Sequence, residues 1–128
     1  MDGYSSLNVN QLTASLASDY SHQVLPESLG VPIRDAKQFA EHAAEIFSMF
    51  SEFRMNPKAI FEDQGQNVVL VHARMEGKLK ESNEEWLNEC VMIICLSEDG
   101  SQVVKVTEFV DSAKAVELRK KYASKFAE

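Results

Sequence analysis

The sequence predicts an α+β domain, a curved antiparallel sheet with helices packed on one side. Three observations carry that prediction. Apolar residues recur at helical steps of three and four through the first half of the chain. The pattern switches to strict period two after Pro57, and it returns to helical spacing only at the C-terminal end. Helices first and hairpin-linked strands after is the α+β order.

Each element has its own signature. Val9, Leu12, Leu16 and Tyr20 predict a helix over residues 9–24, with Asn8 or Asn10 as its cap and Pro26 as its stop. A turn-rich loop, "PESLGVP", comes next. Asp35 and Gln38 form a capping-box pair for a longer helix over 36–53, whose stripe is Phe39, Ala43, Ile46, Phe47, Phe50 and Phe53. "AIFED" predicts a first strand and Gln64-Gly65-Gln66 a turn. Residues 67–77 place Val69, Val71, Ala73 and Met75 on one face, with His72 and Arg74 on the other. Residues 85–97 form the longest strand, Glu98-Asp99-Gly100 a hairpin, and 102–110 the next strand. Asp111-Ser112 reads as a cap for a final helix with Ala115, Leu118, Tyr122 and Phe126 as its stripe and a basic cluster at Arg119, Lys120 and Lys121.

Composition narrows the function. A chain of 128 residues makes one domain, 1–128, with a core that needs no staples. Its net charge of -7 argues against binding to nucleic-acid phosphates. The longest apolar run, "CVMIICL", is far short of a membrane span, and the first residues lack a signal-peptide pattern, so a cytoplasmic protein is expected. Cys90 and Cys95 lie five apart in one strand, on opposite faces, which disfavours a disulfide between them. His22, His42 and His72 are scattered, and no metal-ligand spacing or phosphate-binding loop is present, so neither a metal nor a phosphate-bearing cofactor is expected. His42 and His72 are expected at the surface or an interface. "CVMIICL" is apolar on both faces, although an antiparallel sheet usually keeps one face wet. A two-fold homodimer through the sheet would cover the second face.

The residue that calls for a function is Glu108. Val104, Val106 and Val110 define one face of the 102–110 strand, and Glu108 belongs to that same face. A carboxylate aimed into an apolar interior is either a proton carrier or half of an ion pair. Arg34, Arg54 and Arg74 are the candidate partners for the second reading. His22 is the residue that titrates near neutrality and could face Glu108. Trp86 and Asn88 share a face two residues apart, where they would supply an apolar wall and a hydrogen bond. From the residues alone Cys90 reads as a small buried hydrophobe.

The order of "HQVLP", "ESLGVP", the Phe-rich helix, the Gly77 strand, "NECVMIICLSEDG" and "EFVDS" resembles the SnoaL-like proteins, which share a cone-shaped fold with nuclear transport factor two and ketosteroid isomerase. The similarity is strongest to small fungal members tied to polyketide and meroterpenoid pathways, and it spans residues 2–118. The resemblance implies a curved sheet wrapped by helices, a pocket at its wide end, and cofactor-independent acid–base chemistry on a cyclic polyketide- or terpenoid-type metabolite. That chemistry would be isomerisation, cyclisation, dehydration or epoxide opening. It assigns Glu108 and His22 (or Gln23) as the acid–base residues, and Trp86, Asn88 and Cys90 as pocket lining. Phe50, from the helix stripe, is a further wall. It also implies a long first helix ahead of Met1-Asp2-Gly3-Tyr4, and a tyrosine where this chain has Cys90. The alternative class is a binding or scaffold dimer of the same fold, without chemistry.

Overall fold

A computed structural model describes residues 14–121. Among these residues, six strands form one sheet in the order β2-β1-β6-β5-β4-β3. They are β1 (Leu16–Leu25), β2 (Arg34–Asp35), β3 (Phe50–Asp63), β4 (Val68–Leu79), β5 (Glu85–Leu96) and β6 (Val103–Val110). Two α-helices, α1 (Ala36–Ser48) and α2 (Ser112–Lys121), accompany the sheet. The α+β class is as the sequence predicts. The sheet, however, is mixed, because β1 runs parallel to β6 while the other pairs are antiparallel.

The first correction concerns residues 9–24, for which apolar spacing predicts a helix. Leu16–Leu25 form the strand β1 instead, with Tyr20 and His22 buried. The spacing Leu16, Tyr20 is a step of four, which is even and therefore fits a strand as well as a helix. Tyr20, His22 and Val24 alternate with period two, and that pattern prevails because the ladder to β6 pairs Ser21 through Leu25 residue by residue. Val9 and Leu12 lie outside the described residues, as do Tyr122 and Phe126 of the last stripe.

The second correction is where the Phe-rich helix ends. Both bonds of the capping box are present at its start: Gln38 N–H donates to Asp35 Oδ1 at 2.8 Å, and Asp35 N–H to Gln38 Oε1 at 2.9 Å. The helix stops at Ser48, and Phe50 and Phe53 belong to β3. Steps of three make them look helical, but β3 pairs with β4 from Phe50↔Leu79 to Asp63↔Val68. The strand therefore runs through "MNP" rather than starting after it. Pro57 is tolerated because β3 is an edge strand and the register shifts between Pro57 and Ala59.

The inner face of the sheet is read from the register. Phe53, Gly77 and Trp86 lie in one row, Met55, Met75 and Asn88 in the next, then Ala73, Cys90 and Val110. Val71, Met92, Glu108 and Val24 make the row after that, and His22 pairs with Val106 one row beyond. These rows and α1 enclose the core, where Phe39, Ala43 and Phe47 are the buried helix positions. The opposite face leaves Leu87, Ile93 and Phe109 exposed.

Candidate functional site

Glu108 projects from the inner face of β6, across from Met92 on β5 and Val24 on β1. Its side chain keeps 16% of its surface open, whereas that of His22 keeps 4%. His22 Nε2 lies 3.2 Å from Glu108 Oε1. The contact is diagonal: His22 pairs with Val106, two residues before Glu108 on the parallel neighbour. Both residues stand at even positions of adjacent strands, so one face carries both.

The geometry divides the pair. With Nε2–H donating to the carboxylate, one oxygen of Glu108 is held and the other is left for a ligand. His22 lies deeper, and its Nδ1 is buried with no hydrogen-bond partner among the described residues. Phe39 of α1 supports both aromatic neighbours, tilted on His22 at 4.9 Å and edge-on to Tyr20 at 5.4 Å between ring centroids.

Two further groups feel the acid. Burial, and then the charge of Glu108, push the Tyr20 hydroxyl well above the ordinary phenol range. Burial first, and then Glu108 and Glu89, push the Cys90 thiol up to about 12. Both therefore stay protonated near neutral pH and act as donors or packing groups, not as nucleophiles. A helical reading of residues 9–24 misses Tyr20 as a site residue. The alternation Tyr20, His22, Val24 is the signal that places it beside the acid.

The partner of Glu108 is thus a histidine rather than Arg54 or Arg74. Arg54 donates to Glu76 at 2.9 Å and holds that carboxyl below its usual range, while Arg74 is exposed on the outer side. His72 pairs with Glu89, also on the outer side. Asp111 caps α2, accepting from Ala113 N–H at 3.1 Å.

The remaining predicted residues spread along β5. Cys90 lies two residues from Met92, the partner of Glu108, and Asn88 four. Trp86 lies six away, or roughly 20 Å along a strand rising about 3.4 Å per residue. Asn88 is buried, and its Oδ1 accepts from Glu89 N–H at 2.8 Å. Trp86 packs on Phe50 and Phe53, with centroids at 5.4 and 6.4 Å. The structure thus joins Glu108, His22, Tyr20 and Cys90 at one end and sets Trp86 and Phe50 at the other. Two surface depressions are present, one lined by His72, Glu89, Cys90, Phe109 and Val110, another by Arg54, Glu76 and Lys78.

Solved structures share this architecture. BvnE pinacolase from Penicillium brevicompactum superposes with a TM-score of 0.88 at 16% identity, over 96% of this chain and 85% of that one. A SnoaL-like polyketide cyclase from Jannaschia gives 0.71 at 13% identity, over 90% and 82%. A Catenulispora acidiphila protein of ketosteroid isomerase-like fold gives 0.67 at 12%, over 83% and 77%. The fold is the SnoaL-like, ketosteroid-isomerase-type cone.

Curated relatives carry a different kind of name. Monooxygenase nsrS from Aspergillus novofumigatus is 29% identical over 98 residues, 76% of this chain and 65% of that protein. Monooxygenase ptaG from Pestalotiopsis fici is 28% identical over 113 residues, 88% and 77%. The chain thus spans about two thirds to three quarters of the length of these relatives. No family model matches it.

Proposed function

We propose that this SnoaL-like domain abstracts a proton from an activated carbon of a cyclic, oxygenated secondary metabolite, with Glu108 as the base. The observation that carries the proposal is the 3.2 Å His22–Glu108 contact on a largely apolar inner face. His22 holds one carboxylate oxygen and so fixes the direction of the other. Tyr20 and Cys90, both protonated, line the same end. Asn88 would contact the remote part of a multi-ring ligand, with Trp86 and the fully buried Phe50 packed behind that wall.

The carbanion, or enolate, can leave the site by two routes. Return of the proton at another position is isomerisation, and attack on an internal carbonyl is cyclisation; the names of the structural relatives favour this route. Reaction with dioxygen is the alternative, favoured by the monooxygenase names. In that case the carbanion gives its electrons to O2, and a carbon-bound hydroperoxide forms. Loss of the second C–H proton then expels water, so that CH2 plus O2 gives C=O plus H2O with no other reductant.

Anthrone, whose methylene is acidic, separates the routes. Turnover under air to anthraquinone supports oxygenation, while isotope exchange without oxidation supports proton shuffling. In either case Glu108→Gln is expected to lower the enzymatic rate by about 100- to 10,000-fold. Full activity in that variant would sink the proposal and favour a binding or scaffold role. The exposed Leu87, Ile93 and Phe109 support a homodimer through the outer face, which equilibrium sedimentation would detect.

A further inference from the structure

We propose that Val69, Ile94 and Val106 form a shelf on which an uncharged ring of the ligand lies flat as it meets Glu108, with Ile94 at the centre as a specificity-determining residue. The shelf has this role only where the inner face is the ligand site, as in the proposed function, and it adds the chemical class of the ligand: neutral ring compounds rather than anionic ones.

The register places the shelf beside the acid. Val69 of β4 pairs with Ile94 of β5, Ile94 pairs with Val106 of β6, and Val106 pairs with His22 of β1. Paired residues of neighbouring strands project from one face, so these four make a single inner row. The next row is Val71, Met92, Glu108 and Val24. The shelf therefore borders Glu108 on one side, and it ends at His22, whose ring is covered by Phe39 of α1.

Exposure shows from which side the acid is reached. On the far side of Glu108 the row Ala73, Cys90 and Val110 is closed, at 0%, 2% and 7% exposed. Val69, Ile94 and Val106 are all half-buried. The Glu108 side chain keeps 16% of its surface open. A ligand thus enters over Val69, Ile94 and Val106 and meets the carboxylate at their inner edge.

The chemistry of the shelf selects the ring. All three side chains are β-branched and stiff at χ1, so they present a preformed apolar surface that loses little freedom when a flat ring covers it. None can donate a hydrogen bond or a counter-charge, so an ionised group pressed onto them would lose its water without compensation. Two carboxylates add repulsion for anions: Glu108 in the next row, and the exposed Glu62, which pairs with Val69 at the β3 end of the shelf.

The test is isothermal titration at pH 7 with 2-naphthol, which is neutral there, and 2-naphthoate, which is an anion. Wild-type protein is expected to bind the naphthol at least five-fold more tightly. Ile94→Asp is expected to weaken naphthol binding at least ten-fold, whereas Ile93→Asp, one residue away on the outer face, should leave it within two-fold. Where Ile94→Asp fails to fold by far-UV dichroism, Ile94→Ala replaces it, with an expected loss of at least three-fold. No naphthol binding by wild type, or equal binding of the two probes, would overturn the shelf as a neutral-ring site. So would wild-type affinity in a folded Ile94 variant. A shift of oligomeric state in Ile94→Asp with naphthol binding intact would also overturn it, giving the shelf to a second copy of the chain. Glu108→Gln should keep naphthol binding within three-fold while losing proton transfer; a variant that still transferred protons would refute the proton-transfer reading and leave the naphthol result standing.

Discussion

Replacing Gly77 by alanine should destabilise the protein, and the structure gives the size of the effect. A Cβ on Gly77 would lie 2.7 and 2.8 Å from Phe50 Cδ1 and Cε1, and 3.2 Å from the carbonyl oxygen of Glu52. Carbon atoms settle at about 3.5 Å or more, so the ring or the strand must yield by roughly 0.8 Å. Phe50 is fully buried and wedged between Phe53 and Trp86, with ring centroids at 5.2 and 5.4 Å, so it has no open direction to move. Overpacking of this kind costs about 1–3 kcal/mol. Loss of backbone freedom in the unfolded chain returns about 0.4–1 kcal/mol. Taking the middle of both ranges, the net expectation is a loss of about 1.3 kcal/mol, or roughly 0.6 M in the urea midpoint for a slope of about 2 kcal/mol/M. Urea denaturation followed by Trp86 fluorescence measures it. Phe50→Leu, which shortens the obstructing ring, should couple favourably to Gly77→Ala in a double-mutant cycle by at least about 0.5 kcal/mol. A midpoint within experimental error of wild type, or strict additivity with Phe50→Leu, would refute the packing argument.

Individual groups carry further expectations. Asp35→Ala removes the N-cap oxygen that accepts from Gln38 N–H and should cost about 1 kcal/mol in the same denaturation assay. In native protein at pH 8, a thiol reagent should label Cys95, which is partly exposed, well before the buried Cys90. The Cys90 thiol keeps its proton up to about 12 when folded, against about 8.5 when unfolded. The folded state therefore binds the extra proton between those values, and stability should fall as pH rises from about 9 towards 12. Cys90→Ala should remove that component of the alkaline slope, which parallel urea titrations would reveal.

How much of the fold is legible in the sequence depends on the uniqueness of each period. In β4, β5 and β6 the alternation is long, and the turns at Gln64-Gly65-Gln66 and Glu98-Asp99-Gly100 punctuate it, so their faces and register parity are direct consequences. The first strand is hidden because steps of four satisfy both periodicities, and its partner β6 lies some eighty residues away. Phe50 and Phe53 mislead in a similar way, since a three-residue step looks helical until β4 supplies its ladder. Within the site, the inward direction of Glu108 is readable from three valines. The depth of His22 and the arrival of Tyr20 depend on strand pairing that local sequence does not encode. Trp86 and Asn88 share a face as parity requires, but parity carries no information on distance along the strand.

Removal of a proton from carbon by Glu108 is the step on which the proposed chemistry stands. Deuterium exchange into the methylene of anthrone in D2O, under strict exclusion of oxygen, reads that step independently of the later fate of the carbanion. Wild-type protein should exchange the methylene well above the buffer rate, and Glu108→Gln should fall by at least about 100-fold. Equal exchange by the two proteins, or a wild-type rate no greater than buffer, would contradict the assignment of Glu108 as the base.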